Sequence, residues 1–219
     1  MTKFLIIRHG QSQANLDGVF AGHTDTPLTE LGRRQAALTA EYIATHCVAD
    51  RIYAADRIFA SDLARAFDTA KASADRLGLP VIPEKGLREI FAGEWEGVPF
   101  SELQTNGGEP WRVWREDIGR AVCPGGESAV QLQARVVSTL DRIARENETR
   151  TVIIGTHATP IRALMCHCMG EPIEFMQKIA WVPNASVTTV LWEDGKFTLE
   201  CAGYAEHLRE HLSVLPSNV

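Results

Sequence analysis

Two short apolar segments that each lead into a histidine constrain the fold more than any other feature of the chain. The first covers residues 3–8, KFLIIR, and is followed by His9. The second covers residues 151–155, TVIIG, and leads to His157. Short apolar runs of this kind are typical of strands that are buried on both faces of a parallel sheet. Helical patterns lie between them, so the sequence predicts an α/β fold.

Helical segments account for most of the chain between these strands. One helix is predicted from Thr29 to about His46. A second helix is predicted to begin after Ser61, the candidate N-cap, and to end at Gly78, a residue typical of helix C-termini. A further helix follows the PGGES segment at 124–128. Helices on both faces of one sheet give a three-layer α/β/α sandwich.

Three other segments are predicted to contribute strands. A short strand is expected at 79–83, and a hairpin at 186–201 that turns at its Asp-Gly pair. The hairpin would add an antiparallel edge strand to the mostly parallel sheet. Two near-copies, DRIYAAD at 50–56 and DRIFASD at 56–62, follow the first long helix, and either could form the second strand.

Residues 91–124 differ from the rest of the chain because they are rich in glycine and tryptophan and have weak periodicity. We interpret them as short helices in a small cap-like insertion. No Pro- or Gly-rich linker divides the sequence, so residues 1–219 are predicted to form a single domain.

Composition and charge exclude several classes of function. The chain has 219 residues, a hydrophobic fraction of 45% and a formal net charge of −6, with no basic run, which argues against nucleic acid as a partner. No apolar segment is long enough for a membrane span or resembles a signal peptide, so a cytoplasmic location is expected. The five cysteines form no CxxC pair, so neither a disulfide framework nor a metal site is predicted.

The ends of the predicted strands suggest where a ligand binds. Parallel neighbouring strands would bring His9 and His157 together at the carboxyl edge of the sheet, where open α/β sheets bind ligands. Arg8 lies at the same edge, and a helix after a third strand could direct Arg65 toward it. Two guanidinium groups, two imidazoles and nearby helix N-termini suit a dianionic phosphate. Each of these residues alone would more often be structural or solvent-exposed.

At this point the sequence resembles the histidine phosphatase superfamily, also called phosphoglycerate mutase-like. The resemblance extends in order along nearly the whole chain, and the phosphatase branch fits best. The segments that carry it are RHGQSQAN at 8–15, GHTDTPLTELGRRQA at 22–36, ASDLARAFDTA at 60–70, LREIFAGEWEG at 87–97, PGGES at 124–128, THATPIRAL at 156–164 and PNASVTTV at 183–190.

The resemblance implies a role for each matching position. His9 would accept the phosphoryl group, and Glu89 would act as general acid and then as base for water. The resemblance implies no metal and no other cofactor. The positions predicted to form the rest of the catalytic and substrate-binding pocket are Arg8, Asn15, Gly22, Arg65, His157 and Ala158.

These roles are consistent with the chemistry of phosphoryl transfer, which depends mainly on positioning and electrostatics. A neutral imidazole can attack phosphorus if its other nitrogen is held as a hydrogen-bond donor. Arg8, Arg65 and a protonated His157 would compensate the charge on the equatorial oxygens. Glu89 would have to be protonated to donate to the leaving alkoxide, and burial or nearby phosphate charge would favour that form.

Three positions depart from the pattern of the family. Ala158 stands where a glycine is usual, and alanine would be strained if the backbone required a positive φ. Asp68 stands where glutamine is more common, and it is expected on a solvated helix face. Gln11 replaces an acidic residue with an amide. None of the three removes a predicted catalytic residue.

Three functions follow from these observations. The first is a phosphatase for a small phosphomonoester; the second is a cofactor-dependent phosphoglycerate mutase; the third is a non-catalytic phosphate-binding or regulatory protein. The segment between Glu89 and PGGES is short and contains few basic residues, which favours the phosphatase. The partner is expected to be a small phosphorylated metabolite, and a homodimer is possible. The side chains that could shape the leaving-group side are Phe20, His23, Trp95, Trp111 and Trp114.

Overall fold

A six-stranded sheet forms the centre of the fold in the computed structural model, which describes residues 1–47 and 55–213. The sheet has the order β3-β2-β4-β1-β5-β6. Its strands are β1 (Thr2–Arg8), β2 (Ala55–Ala60), β3 (Val81–Pro83), β4 (Thr151–Thr156), β5 (Val187–Glu193) and β6 (Lys196–Tyr204).

The strand directions confirm the mostly parallel sheet. The neighbours β3, β2, β4 and β1 are all parallel, whereas β5 is antiparallel to β1 and β6 is antiparallel to β5. The reversed strand is therefore second from the edge. Asp194 and Gly195 form the predicted turn with φ values of 49° and 83°, as a two-residue hairpin turn requires.

Helices cover both faces of the sheet, as expected. The α-helices are α1 (Gln13–Asp17), α2 (Glu30–Tyr42), α3 (Ala64–Leu77), α4 (Phe100–Asn106), α5 (Gly108–Glu116), α6 (Ala129–Glu146) and α7 (Ala158–Cys168). Short helical turns of other types are Ile43–Cys47, Lys85–Leu87, Gly93–Trp95, Ile118–Arg120, Ile173–Lys178 and Glu206–His211. Within the described ranges, none of the helices has the length and apolar character that crossing a bilayer requires.

The side chains of β1 pack into a hydrophobic core on each face of the sheet. Successive residues of a strand point to opposite faces. Leu5 and Ile7 accordingly belong to the core cluster that includes residues of α3, and Phe4 and Ile6 belong to the larger cluster that includes residues of α6 and α7. All four side chains are almost completely buried, which explains the continuous apolar run in the sequence.

The predicted start of α3 was wrong. Leu63 is the N-cap residue, and its side chain makes no capping hydrogen bond. The first helical N–H, that of Ala64, donates instead to Asp25 Oδ1 at 2.8 Å. The nearby strand β2 lies mainly within the second near-copy, and most of the first copy lies outside the described residues. Gly78 ends α3 with a left-handed φ of 69°, as expected.

The segment at 91–124 contains the two short helices α4 and α5 and two single helical turns. Its three tryptophans, Trp95, Trp111 and Trp114, are buried in the larger core cluster. The segment therefore packs its aromatic side onto the body of the fold. The assignment of a single domain with an insertion stays a prediction.

Candidate active site

Three parallel strands end side by side and bring together residues that are distant in the sequence. Arg8 at the end of β1 pairs with Thr156 at the end of β4, so His9 and His157 follow at the same edge. The His9 N–H donates to the Thr156 carbonyl at 2.9 Å, and the two imidazole centroids are 5.2 Å apart. The third strand, β2, delivers Ser61 to this edge. The predicted meeting of the two histidines is confirmed.

The ring of His9 is held in one orientation by its own loop. Its Nδ1 lies 2.7 Å from the carbonyl oxygen of Gly10, and a carbonyl can only accept, so Nδ1 carries the proton. Nε2 is then the nitrogen with a lone pair. Gly10 itself must be a glycine, because a Cβ there would lie 2.5 Å from the Gly32 carbonyl oxygen.

Burial and neighbouring cations keep His9 neutral. The side chain is 3% exposed. Burial lowers its pKa well below the usual 6.5, and the positive charges of Arg65 and Arg8 lower it further. A neutral imidazole with a fixed donor nitrogen is the form that the predicted nucleophilic role of His9 requires.

Arg8 and Arg65 place two buried guanidinium groups beside His9. Arg8 donates from Nη1 to the carbonyl of Val182 at 2.5 Å, and Arg65 donates from Nη2 to the carbonyl of Gly22 at 2.7 Å. The Nε of Arg8 has no hydrogen-bond partner among the described residues. Burial lowers the pKa of Arg8 to about 10, which still leaves it charged at neutral pH. Both cations line the pocket that contains His9.

The protein environment of His157 does not by itself favour the protonated form that was predicted to compensate phosphate charge. Its Nε2 lies 2.8 Å from the Ser61 hydroxyl, and its Nδ1 has no partner within the described part of the chain. Burial lowers the pKa of His157 well below 6.5, and the charge of Arg65 adds to this effect. The site alone thus favours a neutral His157. Protonation would require the negative charge of a bound phosphate.

Glu89 lines the same pocket as His9 and the two arginines. Its Oε1 accepts from the N–H of Ile90 at 2.9 Å, and its Oε2 lies 3.5 Å from the N–H of Thr159 in the first turn of α7. The backbone carbonyl of Glu89 is bonded to His23 Nε2 at 2.8 Å. The carboxyl group is therefore fixed on the wall of the pocket by contacts to backbone.

The predicted substrate-binding residues Asn15 and Gly22 also line the pocket. The Asn15 Oδ1 accepts from the Ser12 N–H at 3.1 Å and from Asn184 Nδ2 at 3.2 Å, which leaves the amide Nδ2 as the group that can donate to an anion. Gly22 has a positive φ of 50°, and a Cβ there would lie 2.7 Å from Glu96 Oε1. Its carbonyl is the acceptor that orients Arg65.

Two of the departures from the family pattern lie outside the pocket lining. Asp68 is exposed on α3, as expected. The Oε1 of Gln11 accepts from the hydroxyl of Thr29, the N-cap of α2, at 2.8 Å, so it stabilises a helix start. Ala158 does line the pocket. It is the first residue of α7 and does not have a positive φ, so the backbone strain considered from the sequence does not arise.

The sequence-based predictions missed some residues of the site and gave Ser61 a different role. Ser61 contacts His157 rather than capping α3. Phe100 and Trp181 line the pocket beside the expected Phe20 and Trp114. Trp181 precedes the antiparallel strand β5, whose start lies at the edge where β1 ends. The antiparallel direction of β5 was therefore the feature from which the position of Trp181 at the pocket could have been inferred. The other expected candidates, His23, Trp95 and Trp111, do not line the pocket.

A family model for the histidine phosphatase superfamily (branch 1) matches residues 4–204, which include every residue of this site. The chain belongs to the histidine phosphatase superfamily. The resemblance stated from the sequence is thereby confirmed.

Other members of the superfamily are similar over most of this chain. Phosphoserine phosphatase 1 of Hydrogenobacter thermophilus is 29% identical over 210 residues, 96% of each chain. The 2,3-bisphosphoglycerate-dependent phosphoglycerate mutase 2 of Gloeobacter violaceus is 35% identical over 84% of this chain and 85% of its own. The mycobacterial glucosyl-3-phosphoglycerate phosphatase in complex with VO3 superposes with a TM-score of 0.83 at 28% identity, covering 93% of this chain and 99% of that chain.

Proposed function

We propose that this member of the superfamily is a metal-independent phosphatase that hydrolyses a small phosphomonoester through a phosphohistidine on His9. The observation that carries the proposal is the arrangement of His9. Its Nδ1 is bound to the Gly10 carbonyl, which leaves Nε2 unprotonated in a pocket lined by Arg8, Arg65 and Glu89. A neutral nucleophile beside two cations and one carboxyl group is the set that phosphoryl transfer needs.

In the first step, Nε2 of His9 forms a bond to phosphorus while the bond from phosphorus to the ester oxygen breaks. Arg8 and Arg65 compensate the negative charge that spreads over the three equatorial oxygens. Glu89 gives its proton to the departing oxygen, so the product leaves as an alcohol.

In the second step, the Glu89 carboxylate accepts a proton from water, and the oxygen of that water attacks the phosphohistidine. The bond between Nε2 and phosphorus breaks, inorganic phosphate leaves, and neutral His9 and protonated Glu89 are restored. The same carboxyl group thus serves as acid and then as base.

A panel of phosphomonoesters tests the proposal directly. We expect release of inorganic phosphate without added metal and unchanged turnover after treatment with EDTA, because the two arginines supply the charge compensation. The assay measures phosphate release as kcat/KM before and after chelation. A requirement for a divalent cation would contradict the phosphohistidine mechanism.

A phosphoglycerate mutase is the alternative, because one relative of 35% identity carries that name. A mutase must also hold the carboxylate of its substrate. The ionisable side chains among the described lining residues of this pocket are those of Arg8, His9, Arg65 and Glu89, and the mechanism above uses all four for phosphoryl transfer. This supports the phosphatase. Interconversion of 3- and 2-phosphoglycerate after priming with bisphosphoglycerate, with little phosphate released, would establish the mutase instead.

The pH dependence gives a second test of the nucleophile. The pKa of His9 is lowered below 6.5, so the neutral form persists as the pH falls through that value. We therefore expect the acid limb of kcat/KM, which reports the free enzyme, to lie below pH 6.5 after correction for the second ionisation of the substrate. The measurement is a profile with 4-nitrophenyl phosphate. A limb at or above pH 6.5 would mean that His9 is not held neutral.

A purely binding or regulatory role is the third possibility, and the presence of the complete set of His9, Arg8, Arg65, Glu89 and His157 argues against it. Absence of phosphate release from every ester at every pH would support that role. The cytoplasmic location and the possible homodimer stay predictions.

A further inference from the structure

The pocket has an aromatic half beside its charged half. The charged residues group around His9, whereas the aromatic side chains that line the same pocket are Phe20, Phe100, Trp114 and Trp181. Val19 and Ala21 extend this apolar lining. A substrate whose phosphate reaches His9 must place its leaving group against the remaining lining, so these side chains decide which leaving groups fit.

A second aromatic layer supports most of this wall. The ring of Phe20 is 5.0 Å from Trp114 and 5.7 Å from both Phe100 and Trp95, measured between centroids. Trp111 lies behind them, 5.5 Å from Trp95 and 6.1 Å from Phe100. Interlocked edge-to-face and stacked rings have few alternative rotamers, so the wall is formed before the substrate binds.

Trp181 reaches the pocket from a different segment and has its own support. The Arg162 guanidinium lies 3.9 Å from the centre of the Trp181 ring and donates from Nη2 to the Met176 carbonyl at 2.7 Å. Arg162 is buried on α7. This cation therefore orients the indole by a cation–π contact from a fixed position.

Within the described part of the chain, the aromatic half of the pocket has no charged side chain for a second charge on the substrate. The charged residues of the described lining are Arg8, Arg65 and Glu89, which the proposed mechanism assigns to the phosphate. Three further cations, Arg115, Arg162 and Lys178, line an adjoining cleft that shares the two tryptophans with the pocket. Arg115 and Lys178 are exposed, whereas the buried Arg162 lies against the ring of Trp181 and donates to the Met176 carbonyl. The indole N–H of Trp114 has no partner among the described residues, but it is an uncharged donor. A carboxylate or ammonium held against the aromatic wall would therefore lose hydration without gaining a partner of opposite charge.

We propose that the site selects phosphomonoesters whose leaving group carries an uncharged planar ring or a similar apolar group next to the phosphate. It discriminates against small leaving groups with a carboxylate, such as those of phosphoserine and phosphoglycerate. The inference rests on the proposed phosphatase function and names its substrate class. Burial of an aromatic ring supplies the binding free energy, and the lack of a counter-ion among the described aromatic lining residues disfavours the anionic substrates.

Primary alkyl phosphates test this selectivity, because their leaving alkoxides are similar in basicity and the comparison then reports contacts in the pocket. We expect kcat/KM for benzyl phosphate to exceed that for phosphoserine and for 3-phosphoglycerate by about tenfold or more, the range that pocket contacts of this kind give. Equal or better turnover of either anionic ester would overturn the proposal.

A carboxyl substituent isolates the effect of charge. We expect 4-carboxybenzyl phosphate to be hydrolysed with a kcat/KM about tenfold below that of benzyl phosphate, because the carboxylate meets the aromatic wall. If the substituent leaves kcat/KM unchanged or raises it, the cations of the adjoining cleft bind the carboxylate, and the proposed selection for uncharged leaving groups is wrong.

Variants of the wall link the selectivity to named side chains. In Trp181→Ala and Phe100→Ala we expect the ratio of kcat/KM for benzyl phosphate to that for methyl phosphate to fall about tenfold, whereas Trp181→Phe should restore most of it. Phe175→Ala is the matched control, because this half-buried aromatic lies outside the pocket lining. An unchanged ratio in both wall variants, with melting temperatures confirming folded protein, would overturn the assignment.

Failure of this inference can be separated from failure of the proposed function. If no ester releases phosphate, the phosphatase function fails. If benzyl phosphate and phosphoserine release phosphate equally well, the phosphatase stands and only the selection for apolar leaving groups fails.

Discussion

Replacement of His9 by alanine is expected to reduce phosphate release by about 10⁴-fold or more, the scale seen when a covalent nucleophile is removed. The reason is that Nε2 of His9 is the atom that bonds to phosphorus, and it is held by the bond from Nδ1 to the Gly10 carbonyl. The measurement is kcat/KM for 4-nitrophenyl phosphate in the wild type and in His9→Ala, below the melting temperature of both.

The control for this experiment is His167→Ala. His167 is exposed near the end of α7, far along the helix from the pocket, so its removal should leave kcat/KM within about twofold, as for most surface substitutions. An acid-labile phosphoenzyme should accumulate in the wild type and be missing in His9→Ala. Substantial turnover by His9→Ala would identify another nucleophile and refute the mechanism.

Replacement of Glu89 by glutamine is expected to distinguish substrates by their leaving groups. An alkoxide needs a proton as it departs, so we expect kcat/KM for benzyl phosphate to fall by about 10²–10⁴-fold, the range of general-acid catalysis. A nitrophenolate leaves without that help, so 4-nitrophenyl phosphate should lose less than about tenfold in kcat/KM. The measurement is the dependence of kcat/KM on leaving-group basicity in both proteins.

Glu102→Gln is the matched control, because Glu102 is an exposed carboxylate on α4 and does not line the pocket. It should leave the dependence on leaving-group basicity unchanged. Equal losses for alkyl and aryl esters in Glu89→Gln would show that Glu89 only positions the substrate or supports the pocket.

The main architecture was predictable because its determinants are local and repetitive. Short continuous apolar runs such as residues 3–8 are typical of strands with both faces buried, and β1 is buried on both faces. The Asp194-Gly195 turn was predictable because both residues adopt positive φ readily. Parallel neighbouring strands end at a common edge, so the meeting of His9 and His157 followed once β1 and β4 were taken as parallel neighbours.

Other features could not be derived because they depend on contacts distant in the sequence. Serine is a favoured N-cap residue, yet the hydroxyl of Ser61 contacts His157, which is 96 residues away. The N-terminus of α3 is completed by Asp25 from a different loop. Local preference favours Ser61 as a cap, but the position of β4 beside β2 determines what that hydroxyl meets.

The sequence by itself determined the α/β class, the two histidine-bearing strand ends and, through its ordered motifs, the superfamily. These properties follow from residue periodicity and from short segments whose conformation depends on their own side chains. The tertiary structure decided the tautomer of His9, the lowered pKa of His157 and the aromatic wall to which Phe100 and Trp181 belong. Each of these depends on which groups are brought within a few ångströms and removed from water, and pairing of distant strands sets that environment.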